Sequence, residues 1–135
     1  MPPGTASGPR SSHPMRDQLA PGIALFNDGD FYACHDTIEE IWLQESSDRQ
    51  PFLQGLIQAA VAFHHYEHGK WGAARSMLQM AIDKLSPFPD PFDGLETANL
   101  LDALRSWKSA LDAALQLEER PLRIDLPYPV IHRQS

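Results

Sequence analysis

The segment PFLQGLIQAAVAF, residues 51–63, constrains this chain more than any other. A helix built from it is apolar nearly all round. Phe52, Leu56, Ala59, Ala60 and Phe63 form one wide face, which Leu53 and Ile57 extend. Only Gln54, Gln58 and His65 form a narrow polar strip, expected to face solvent. Such a helix must be wrapped by other elements on several sides. The apolar run falls short of the roughly 20 residues of a membrane span and is interrupted by glutamine. Gly55, Ala59, Ala60 and Ala62 let neighbouring backbones come close. The segment is therefore expected to be the central helix of a bundle, spanning 51–68.

The flanking sequence supplies the wrapping. LAPGIALFNDGD (19–30) predicts a short first helix ending at Asn27–Gly29, with Gly29 able to take the left-handed cap conformation. Asp30 is a good N-cap for a second helix. Its stripe is Phe31, Cys34, His35, Ile38, Ile41 and Trp42, with Asp36, Glu40 and Gln44 opposite. ESSDRQP breaks that pattern, and Pro51 suits the first turn of the central helix. Gly69 ends the central helix and makes a tight link to a fourth helix over 70–85, so these two form an antiparallel hairpin. Trp71, Ala74, Leu78, Ala81, Ile82 and Leu85 point inward from it. SPFPDPFDG cannot continue a helix. A fifth helix runs from 95 to 117 with Leu100, Leu101, Leu104, Trp107 and Leu111 on one face.

The expected architecture is all-α: a single compact bundle of about five helices built from antiparallel hairpins, over residues 19–118. Residues 1–18, rich in Pro, Gly and Ser, are expected to be a disordered tail. Residues 119–135 are expected to be an extended C-terminal tail. Its stretch PLRIDLPYPVIH is placed in a groove of its own bundle or of another chain.

Charge narrows the partners. Eleven basic residues against 18 acidic ones give −7, which disfavours both nucleic acid and anionic membranes. A protein partner or a homo-oligomer remains. The single cysteine, Cys34, excludes an internal disulfide and suits a reducing compartment. The N-terminus lacks an apolar signal core. A soluble cytoplasmic protein is expected.

Candidate chemistry lies on the second and third helices. His35 projects into the apolar stripe, and Glu39 sits one turn on, at i,i+4. On the third helix His64 flanks the wide apolar face, and Glu67 projects near Ala60 and Phe63. A buried imidazole left without a partner would cost about 1–3 kcal/mol. The first reading is thus a hydrogen-bonded core network of His35, Glu39, His64 and Glu67, with Trp42 as a donor. The alternative is a working site in which His35, Glu39 and His64 hold a divalent transition metal or perform acid–base catalysis. HDTIEE is not the zinc motif H-E-x-x-H, and the Glu-x-x-His pairs of di-iron bundles are missing. No cofactor is expected. Cys34 and His35 diverge by about 100° on the helix and form no catalytic pair.

FNDGDFYACHDTIEEIW followed by FLQGLIQAAVAFHHYEHGKWGAARSMLQMAIDKL closely resembles the small helical family called domain of unknown function 309. The matching positions are Phe26, Asn27 and Gly29, then His35, Glu39 and Trp42, then Gln54, Leu56, Gln58, Ala60 and His64, then Gly72 and Ala73. The likeness covers about 19–85. It departs at Asp36, where the family usually has glutamate after the histidine. The resemblance implies a compact helical bundle and no established reaction. It also groups His35, Glu39 and His64, as helical geometry does independently.

Overall fold

The computed structural model describes residues 14–117 and 123–134, with side chains from Gln18 onward. The described residues form five helices and no strand. They are α1 Pro14–Asn27, α2 Phe31–Gln44, α3 Gln50–Glu67, α4 Trp71–Leu85 and α5 Thr97–Leu117. Each helix packs on its neighbour in sequence, α1 on α2, α2 on α3, α3 on α4 and α4 on α5. Residues 1–13 of the expected N-terminal tail lie outside the described residues. The last residues of that segment are the first turn of α1, which opens on Pro14 and continues through Pro21. Proline's fixed φ suits a first helical position.

Local chemistry explains the helix ends. Asp30 caps α2, its carboxylate accepting from the Ala33 amide at 3.4 Å. Gly29, at φ 84°, lets the Asp30 amide donate back to Leu25 O at 2.9 Å. Gly69, at φ 75°, does the same for Lys70, whose amide reaches His65 O at 2.9 Å. Both turns satisfy carbonyls that a helix end leaves without partners. Pro51 stands in the first turn of α3.

The core is continuous and centred on α3. Phe52, Leu53, Leu56, Ala59, Ala60 and Phe63 are all essentially inaccessible. Gly55 fits against α4 because it has no side chain: a Cβ there would lie 2.7 Å from Leu85 Cγ. Phe63 touches Phe31 at 5.3 Å, Trp107 at 5.1 Å and Phe26 at 6.2 Å, ring centre to ring centre. Phe52 meets Phe88 and Phe92 of the 86–96 loop at 5.3 and 4.7 Å, filling the other end.

Ion pairs tie the periphery. Arg49, in the α2–α3 turn, pairs with Asp93 of the α4–α5 loop, and Asp93 is almost wholly buried. Arg75 of α4 pairs with Asp112 of α5, which also takes the Lys108 ammonium at 2.9 Å. The hydrogen bond from Lys108, then that from Arg75, holds the Asp112 carboxyl below its ordinary value.

The C-terminal segment docks on its own chain. The Trp107 indole Nε1 donates to Pro127 O at 2.8 Å, and the Ile124 amide donates to the Tyr66 hydroxyl at 2.8 Å. Asn27 donates to Ile131 O at 3.0 Å and accepts from the Ile131 amide at 2.8 Å. Glu96 N donates to His132 O at 2.9 Å, and Gln134 N donates to Gly94 O at 2.7 Å.

Candidate functional site

The α2–α3 surface brings most of the expected residues together, but at the surface and not in the core. The buried line of α2 is Phe31, Cys34 and Ile38. His35 follows Phe31 by four positions, about 40° round the helix on the side away from Cys34, and so lies at the margin of that line. Its side chain is therefore 24% exposed, and that of Glu39 is 44% exposed. The expectation of a buried His/Glu network is corrected accordingly. His35 Nε2 stands 3.9 Å from Glu39 Oε2, too far for a hydrogen bond.

Tyr32 joins this face. Its ring is 5.8 Å from that of His35 and 5.5 Å from that of His64, so it links the two helices across an open surface. His64 in turn lies 4.3 Å from His68, ring to ring. The His68 ring Nδ1 meets His64 O at 2.9 Å, so this imidazole finishes the C-terminus of α3. The result is a half-exposed row of Tyr32, His35, His64 and His68 with Glu39 at its edge. Among the described residues no three His, Cys, Asp or Glu side chains converge closely enough to hold a metal ion.

Glu67 and Trp42 leave the group. Glu67 is exposed and accepts from the Tyr128 hydroxyl at 3.1 Å, turned toward the C-terminal segment and away from Ala60. Trp42 is half-buried, and its Nε1 is buried without a hydrogen-bond partner. Gln58, expected on the solvated strip, is also buried, and its Oε1 has no partner. With α2 on one flank of α3 and α4 on another, the strip left to water is narrower than the sequence implies.

Cys34 is fully buried, and burial, with Asp30 nearby, pushes its thiol up to about 12. It remains a protonated core side chain at neutral pH. His65 is held below its ordinary value, first by burial and then by Lys70, His64 and His68. Because the unfolded chain binds that proton more readily, His65 lends stability above pH 6.5 that is lost as pH falls through and below that value. Asp112 acts likewise in a lower window: its contribution is present above 3.8 and lost as pH falls below it. Both groups are near the surface, so solvent screens each contribution. Urea midpoints measured from pH 8 to pH 3 should fall in two stages. His65→Gln should remove the upper stage and Asp112→Asn the lower. A single stage unaffected by either change would contradict the assignment.

The C-terminal segment lies in a groove, as its sequence leads one to expect, and the groove is that of its own bundle; the aromatic residues that line it are not evident from the sequence. Tyr128 stacks on Trp107 at 5.4 Å and 12°, and meets Phe31 and Phe63 edge-on at 5.1 and 5.4 Å. Burial, then Glu67, raises the Tyr128 phenol well above its ordinary value. The signal was the PYP at 127–129, whose prolines favour an extended strand with the tyrosine standing out from it.

Fold and site define a small all-helical protein with an open polar face on its second and third helices. Among the described residues no helix is long and apolar enough to cross a membrane. Residues 19–77 match the family described as Domain of unknown function (DUF309), so the resemblance read from α1–α4 holds over that stretch. An uncharacterized protein of Aquifex aeolicus is 30% identical over 76 residues. That stretch is 56% of this chain but 23% of the Aquifex protein. The crystal structure of a conserved hypothetical protein from Thermus thermophilus is similar at a TM-score of 0.59 and 29% identity. The likeness covers 66% of this chain and 93% of that one. The shared fold is thus nearly the whole of the Thermus protein.

Proposed function

We propose that this chain is a non-enzymatic interaction module of the cytoplasm, and that the α2–α3 face carrying Tyr32, His35, Glu39 and His64 contacts a protein partner. The observation that carries this reading is the openness of that face. Enzymes place acid–base groups where water can be excluded and partners are preorganised. Here His35 and Glu39 stand 3.9 Å apart and half-exposed. A tyrosine that is 58% exposed, between two imidazoles, is the composition of a contact surface. The formal charge of −7 favours a protein over nucleic acid or an anionic membrane. The cytoplasmic assignment is supported by the lone, buried, protonated thiol.

The test pairs elemental analysis with partner capture. Untagged protein purified without chelator should carry no stoichiometric transition metal. Tyr32→Ala and His35→Ala should keep the helical circular dichroism of the parent and lower its affinity for a captured partner about tenfold or more, as truncation of central contact residues does. A stoichiometric metal lost in His35→Ala would instead establish the metal site. Unchanged partner affinity in both variants would place the contact elsewhere.

A further inference from the structure

We propose that residues 123–134 form an exchangeable strap, and that the groove beneath them accepts the same segment from a second copy of this chain. The inference does not depend on the α2–α3 face and can fail separately from it. It rests on how the segment is held.

The strap is bound as a peptide ligand is bound. Its backbone is read at intervals: the Ile124 amide by Tyr66, Pro127 O by Trp107, and both polar groups of Ile131 by the Asn27 amide. Tyr128 and Ile131 anchor its apolar side, with Pro129 buried between them and Ile124 packed against the core. Tyr128 enters the aromatic box of Phe31, Phe63, Tyr66 and Trp107. Ile131 is 3% exposed and joins the core. Between and beyond these anchors Leu126, Pro127, Val130, His132 and Arg133 face solvent. Main-chain hydrogen bonds with spaced side-chain pockets are the anatomy of extended-peptide recognition. A segment integral to the core would bury most of its length, and this one does not.

The strap is also additional to the matched family region, which ends at residue 77. Of the box, Phe31, Phe63 and Tyr66 lie inside that region and Trp107 lies outside it, as does Tyr128, which fills the box. A groove whose floor comes from the bundle and whose filling comes from a terminal segment can take the filling from either of two chains. The sequence seated on it is the chain's own, so a second copy supplies a ligand already shown to fit. Each copy offers one groove and one strap, and reciprocal exchange closes as a two-fold dimer.

A covalently attached ligand competes at about millimolar effective concentration. Exchange should therefore emerge only at high chain concentration. Sedimentation of the 135-residue chain should show mass rising above that of one copy between roughly 10 μM and 1 mM. An isotope-labelled synthetic peptide of residues 123–134, in excess, should return the wild-type dimer to monomer and show intermolecular NOEs from its Tyr128 ring to the Trp107 indole of the protein. The same peptide with Tyr128→Ala should do neither. The same chain carrying Tyr128→Ala should not self-associate, and it should bind the wild-type peptide about tenfold more tightly than the parent does, its own strap having lost its anchor. The wild-type arms decide the matter even if that variant fails to fold. A strict monomer at all concentrations, with the peptide binding, would overturn the second copy as occupant. A labelled peptide that shows no contact with the Trp107 indole would overturn the exchangeable strap altogether.

Discussion

Phe63→Ala is expected to destabilise the protein by about 3–5 kcal/mol, the usual loss when a fully buried aromatic is cut to a methyl group. The ring is 1% exposed. It meets α1 through Phe26, α2 through Phe31, α5 through Trp107 and the C-terminal segment through Tyr128. Its removal leaves a cavity whose walls belong to separate elements, and those elements are tied elsewhere by ion pairs and helix caps. Collapse around the missing ring is therefore limited, which places the loss at the upper part of the range. Urea denaturation followed by circular dichroism measures it. A loss under about 1 kcal/mol would mean that the surrounding aromatics close the gap and that Phe63 is not the hub.

Trp107→Ala is expected to cost a similar amount, about 3–5 kcal/mol, with a different signature. Trp107 is 2% exposed, packs on Phe63 and Tyr66, and stacks beneath Tyr128. It also donates its indole N–H to Pro127 O. Loss of both packing and donor should release the C-terminal segment while the bundle persists. Hydrogen exchange should then show the Ile124 and Ile131 amides losing protection ahead of amides in α3 such as Leu56. Trp107→Phe keeps most of the burial and forfeits the donor, so it should cost less, with roughly 1 kcal/mol from the hydrogen bond itself. Equal protection of Ile131 in Trp107→Ala and the parent would show that the indole does not hold the segment.

The helices were legible because their boundaries are written in residues with one physical reading. Asp30 can cap, Gly29 and Gly69 can turn left-handed, and Pro51 can start a helix but not continue one. The all-round apolar character of α3 likewise gave its central place. The start of α1 was less legible, since a Pro- and Ser-rich approach gives no sign that Pro14 is already helical. In the candidate site, the i,i+4 relation of His35 and Glu39 follows from helix geometry alone. Their exposure does not. A rotation of one residue position separates the middle of a stripe from its margin, and only the placement of α1 and α3 settles which residue is which. Gln58 shows the same effect in reverse, a polar side chain covered because its neighbours close over it. Tyr66, Asn27 and Tyr128 could not be grouped from sequence. Their contacts span separations of 58 to 104 residues, and no local pattern carries information over that distance.

The Asn27–Ile131 pairing has a consequence for time as well as for energy. Its two hydrogen bonds join positions 104 residues apart. Closing so long a loop is entropically unfavourable until the intervening chain is already in place. The pairing is therefore expected to form at the end of folding, after the transition state. Interactions of that kind leave the folding rate nearly unchanged and act almost wholly on the rate of unfolding. The amide of Asn27 is thus expected to work as a latch on the C-terminal segment: Asn27→Ala should speed its release while changing little how quickly the bundle forms.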